Sequence, residues 1–188
     1  IENLEKTVWI GEQALGEDFF AENRGHFWGI IETRPYMRAR QELADLLHEV
    51  GRTDEAIAHY EAMLELNPND NQGIRELLLA FYLARGDLDG ARRLFDQYEE
   101  DGSAAFRWSR ILERHLAGDE AKAATLLAEA RKDNAFVEPY LTGKKRMPRS
   151  LPDYYSPGEE SEAKHVAVGL RPAWKMHRAS VAWLKAQA

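Results

Sequence analysis

The sequence predicts an all-α protein, a right-handed superhelical stack of helix pairs closed by a C-terminal helical cap. Three observations carry this. A glycine-centred pattern recurs at a near-constant interval, in GRTDEAIAHYEAM from Gly51, GDLDGARRLFDQY from Gly86 and GDEAKAATLLAEA from Gly118. Apolar residues on both sides of each glycine fall at helical spacing. Four of the seven prolines gather in one late stretch, at Pro139, Pro148, Pro152 and Pro157, leaving the body of the chain open to helix.

The repeat unit is helix, tight turn, helix. The three glycines lie 35 and 32 residues apart. Five positions after them stand Ala56, Ala91 and Ala123; nine after, Tyr60, Phe95 and Leu127; twelve after, Met63, Tyr98 and Ala130. Such spacing puts a small and two packing residues on one helix face. Each glycine follows another apolar helix, ELADLLHEV, ELLLAFYLA or SRILERHLA. Glycine adopts the positive φ that ends the first helix. Thr53, Asp87 and Asp119 are placed to cap the second. Pro68 in LNPND stops the first repeat, and Asp70 or Asn71 can cap the helix that follows.

A weaker copy lies upstream, with Gly16 again 35 residues before Gly51. Residues 3–15 form its first helix. Its second is expected to run through AENRGHFWGII, weakened by Gly25 and Gly29 at roughly 1 kcal/mol each relative to Ala. Pro35 suits the first turn of the next helix, PYMRARQELADLLHEV. The resulting plan is one domain: a degenerate repeat over 1–36, repeats over 37–70, 71–103 and 104–135, an irregular wrap over 136–157 with a helical turn near 136–142, and a cap over 158–188. The cap reads as two helices, SEAKHVAVGL and PAWKMHRASVAWLKAQ.

This pattern resembles the tetratricopeptide repeat (TPR) family over residues 37–135, and more loosely over 1–36. It departs in placing Arg40, Arg75 and Arg107 where the family's first helix usually carries Trp, and in replacing the closing Pro by Ser103 and Ala135. ETRPYMRA and LNPNDNQGIR also resemble the suppression-of-tumorigenicity family and its bacterial relatives, which implies helical repeats and no particular chemistry. The TPR resemblance implies a concave face lined mainly by first helices. Candidate groove residues are Arg38, Gln41, Asp45, His48, Gln72, Arg75, Glu76, Trp108 and Ser109. The asparagine expected of a TPR carboxylate clamp is missing, with Asp45 and Ala80 at that position, so that function is not carried over.

Repeated arginine at 40, 75 and 107 has two readings: a basic stripe for acidic groups, or side chains laid over apolar surface and paired with neighbouring carboxylates. The stretch GHFWGIIETRPYMRAR is also open. Trp28, Glu32, Arg34 and Tyr36 are either a ligand site at the junction of the first two repeats or packing around a broken helix. Gly73 is read as permitting a close approach by Tyr36 or Trp28.

No nucleophile-base arrangement, P-loop or GxGxxG is present, and none of the six histidines has metal-ligand spacing. No enzyme activity, cofactor or metal is therefore expected. The net charge of −7 argues against nucleic acid as a partner, and no apolar run is long enough to span a bilayer. The absence of cysteine excludes disulfides and fits a reducing, cytoplasmic setting. The first residue is Ile1, which suggests a fragment or a processed chain. The expected function is a non-catalytic scaffold that binds a protein or peptide around Trp108, with Arg38 and the arginine ridge orienting acidic groups. The alternatives are homo-oligomerisation through Val181, Trp183 and Leu184, or the junction site.

Overall fold

The computed structural model describes residues 1–187. Eleven α-helices and two 3-10 turns form the regular structure, and no strand occurs among the described residues. The chain divides into two compact units, residues 1–78 and 79 onward, with the boundary inside α5 (Ile74–Arg85).

The first unit holds α1 (Glu2–Leu15), α2 (Glu17–Asn23), α3 (Arg34–Glu49) and α4 (Thr53–Leu66). Helix α3 is central and packs on α1 and α4. Its buried Leu43, Ala44 and Leu47 share the core with Ala56, Tyr60 and Met63 of α4, the small and large positions of the repeat. Gly51 has φ 84°, the left-handed conformation that the turn requires. Pro35 stands in the first turn of α3 as expected. Thr53 is not a cap. It is the first residue of α4, and its Oγ1 lies 3.3 Å from His48 Nδ1.

The upstream copy departs from expectation at its second helix. This helix, α2, ends at Asn23 and buries no residue fully. Gly25, at φ 90°, turns the chain, and two 3-10 turns follow at Phe27–Gly29 and Ile31–Thr33. The reason is aromatic packing. Phe27 is fully buried, with ring centroids of Phe20, Phe19 and Tyr36 at 4.8, 5.9 and 6.2 Å. A regular helix through residues 21–31 would carry the Phe27 ring away from that cluster. Gly11 of α1 makes room for the same group, since a Cβ there would come within 2.8 Å of the Tyr36 ring. Gly73 does not have the role expected of it: nothing lies within 4 Å of its Cβ position, and its φ of 73° serves the turn into α5.

The second unit continues from α5 through α6 (Leu88–Gln97), α7 (Ala104–Leu116), α8 (Glu120–Asp133), α9 (Val137–Leu141), α10 (Glu160–Met176) and α11 (Arg178–Ala186). Asp87 caps α6 through Gly90 N at 2.9 Å, Ser103 caps α7 through Phe106 N at 3.3 Å, and Asp119 caps α8 through Lys122 N at 3.1 Å. Helix α7 is the hub, packed by α6, α8, α10 and α11. Trp108 and Trp174 have no exposed surface, and burial of side chains this large contributes about 2–3 kcal/mol each. The break expected before Pro172 falls later: α10 runs through Pro172 to Met176, and the next residue, His177, has its Nε2 2.7 Å from the Leu83 carbonyl.

Among the described residues, no helix is long and apolar enough to cross a membrane, and no group of three His, Cys, Asp or Glu side chains is placed to hold a metal.

Candidate functional site

The three repeated arginines each meet a carboxylate within their own unit. Arg40 Nη1 lies 3.3 Å from Glu12 Oε1, Arg75 Nη1 is 3.5 Å from Asp70 Oδ2, and Arg107 Nη1 is 2.7 Å from Asp133 Oδ2. Arg40 also donates to the Tyr36 hydroxyl and lies over its ring at 5.7 Å. The geometry is that of paired guanidinium groups.

Within the first unit, the groove candidates form ties between elements. Arg38, exposed on α3, lies over the Trp28 ring at 5.8 Å. Gln72 Nε2 donates to Gln41 Oε1 at 2.8 Å and to the Met37 carbonyl at 3.4 Å. The Tyr60 hydroxyl donates to Asp45, and burial together with that carboxylate pushes the phenol's pKa far up. Arg38, Asp45, His48 and Glu76 remain exposed, whereas Gln41, Gln72 and Arg75 are half-buried. Arg38, Gln41, Asp45 and His48 sit at i, i+3, i+7 and i+10 of α3, so they form one face.

The same position in the second unit is closed. Trp108 is 0% exposed and Ser109 2% exposed. Peptide contact around Trp108 is therefore corrected: α10 and α11 pack on the helix that carries it, and its indole is core.

Of the junction residues, Arg34 and Trp28 come together. Arg34 Nε donates to the Trp28 carbonyl at 3.0 Å, and its guanidinium lies over the Trp28 ring at 5.4 Å. Trp28 thus has two arginines against its indole. Tyr36 is buried in the aromatic cluster, its hydroxyl 3.2 Å from Glu12 Oε1, and its pKa is raised chiefly by burial. Glu32 stands exposed in the second 3-10 turn. Thr33, fully buried, ties this turn by donating to the carbonyls of Phe27 and Ile30.

The turn into α5 is organised by Asp70, at φ 51° and 6% exposed. Its carboxylate accepts from Ile74 N at 2.7 Å and Arg75 N at 3.0 Å. Burial pushes this carboxyl's pKa up, and the N–H groups and the Arg75 charge pull against that shift.

The oligomer candidates on α11 face inward in part. Leu184 is fully buried, Val181 and Trp183 are half-buried, and the Trp183 ring lies 4.8 Å from that of His115. His115 Nδ1 is 2.9 Å from Ser180 Oγ, and burial lowers the histidine's pKa. Sequence reasoning passed over His115 and His177 as the seat of α11. Their partners lie 65 and 94 residues away in the chain, a distance no local pattern bridges. It also passed over Glu113, which is 1% exposed and held by Arg92 Nε at 2.7 Å and Arg114 Nε at 3.2 Å.

Compared with known families, residues 47–114 match the tetratricopeptide repeat. No curated protein and no solved structure matches the chain significantly.

Proposed function

We propose that this chain, whose residues 47–114 match the tetratricopeptide repeat, is a non-catalytic scaffold that holds a peptide or protein segment on the first-helix surface of its first unit. Repeats of this family generally mediate protein–protein interaction. The observation that carries the location is a contrast between equivalent helices. Helix α3 leaves a polar line open at Arg38, Asp45 and His48, whereas α7 is packed by four other helices. The adjoining Gln41–Gln72 tie and the start of α5, with Arg75 and Glu76, extend this surface. Mixed charge on a helix face suits a partner with charges of both signs.

The test is selection of peptides from a random library on the immobilised full chain, followed by affinity measurement. Against wild type, Arg38→Glu/Glu76→Arg is expected to weaken the selected peptides at least ~10-fold, about 1.4 kcal/mol. Both positions are exposed, and the variant's affinity is read only beside an unchanged thermal midpoint. Unchanged affinity in this variant overturns the location.

A further inference from the structure

The segment between α9 and α10 carries a charge opposite to that of the rest of the molecule. Lys144, Lys145, Arg146 and Arg149 place four of the chain's 25 basic residues within six positions, in a chain of net charge −7. All four are exposed. The loop is nevertheless tied down. Lys145 N donates to the Pro139 carbonyl at 2.8 Å, His165 Nε2 lies 3.1 Å from the Pro152 carbonyl, and Gly158 N donates to Glu162 at 2.8 Å. The Tyr155 ring packs 5.2 Å from that of His165. Beside it Tyr154 is 88% exposed, and Leu151 is also exposed.

Lys145 is neutralised by Glu160. Among the described residues, Lys144, Arg146 and Arg149 have no such partner. A further guanidinium reaches the same place from α10. An Nη of Arg171 lies 3.6 Å from where a Cβ on Gly143 would stand, and its buried Nε has no hydrogen-bond partner. The Nη groups, which carry the charge toward the Gly143 turn, are the ones a carboxylate there can pair with.

We propose that this loop, with Arg171, is a second docking surface, separate from the α3 face, for a short acidic peptide segment with an apolar or aromatic residue. Carboxylates pair with Arg146, Arg149 and Arg171, and Tyr154 and Leu151 receive the apolar group. The fit favours a short peptide on electrostatic grounds. At physiological salt a charge is felt over about 8 Å, so a segment that touches only the loop meets its positive field. The chain as a whole carries −7, so a larger polyanion has net repulsion to overcome, whereas a short segment does not.

The experiment is fluorescence anisotropy on the full chain with a labelled twelve-residue Glu/Leu/Tyr peptide. A Lys/Leu/Tyr counterpart, a labelled oligothymidine and vesicles containing phosphatidylserine serve as competitors for the assignment. The acidic peptide is expected to bind, to weaken as salt rises from 50 to 300 mM, and to lose at least tenfold in Arg146→Glu/Arg149→Glu. Arg171→Gln should also weaken it, and Arg38→Glu/Glu76→Arg should leave it unchanged. The exposed charge reversals are checked by an unchanged thermal midpoint. No binding, equal binding by the loop variant, or tighter binding of the oligonucleotide or the vesicles overturns the proposal.

Discussion

Asp70 shows how one side chain can fix a junction. It combines a left-handed backbone, near-complete burial and a carboxylate that takes up the free N–H groups of Ile74 and Arg75. An aspartate tolerates positive φ better than most residues because its short side chain bonds locally. Replacement by Ala loses both the cap and that tolerance, and should cost about 2 kcal/mol. Asn keeps one acceptor oxygen and the left-handed preference, so Asp70→Asn should recover part of the loss. Urea unfolding of the two variants beside wild type measures this. Equal stability of Asp70→Ala and wild type would show that turn hydrogen bonds, not the carboxylate, hold the start of α5. The residue type and position were legible, since LNPND before a helix asks for an Asx cap. The burial was not, because it depends on packing around the turn.

At the scale of elements, what could be read in the sequence was what local physics decides. Gly51, Gly86 and Gly118 all take positive φ, and Asp87 and Asp119 both cap, because a turn between paired helices has few backbone solutions. Pro172 misled for an opposite reason. Proline inside a helix costs about 3 kcal/mol, but Ala167, Leu170, Ala173 and Trp174 are all buried on either side of it, and that burial outweighs the penalty. Trp108 misled because its cover, α10 and α11, comes from the far end of the chain. The seat of α11 carries a pH dependence. Burial holds the pKa of His115 below its ordinary 6.5, with Glu120 opposing and His177 adding to the shift. The half-buried His59 is likewise lowered, by burial and then Arg40. A histidine with a depressed folded pKa contributes stability that is present above about pH 6.5 and lost as pH falls through the folded value. The thermal midpoint should therefore drop between pH 7.5 and 5.5. His115→Asn, which cannot titrate, should show a smaller drop. An identical drop in the variant would remove His115 from the account.

Over the whole molecule, the division into two units implies an uneven distribution of stability, because each unit is held by its own central helix. In the first, α3 packs on α1, α4 and both 3-10 turns, whereas the seven-residue α2 has no fully buried residue. A helix that short is not stable in water by itself. In the second, α7 packs on four helices, whereas α11 has only Ser180 and Leu184 fully buried. Local opening follows buried apolar contact, so each unit should open from its thin element and keep its hub longest. Native-state hydrogen exchange read by mass spectrometry tests this directly. Amides of α2 should exchange at least ~100-fold faster than those of α3, and amides of α11 faster than those of α7. Lowering the pH from 7.5 to 5.5, after correction for intrinsic exchange, should increase opening at α11 more than at α2, because His115, whose pKa burial lowers, lies at the α11 seat. Uniform protection across α2, α3, α7 and α11 would mean a single cooperative body and would remove the basis for treating the thin elements as the first to open.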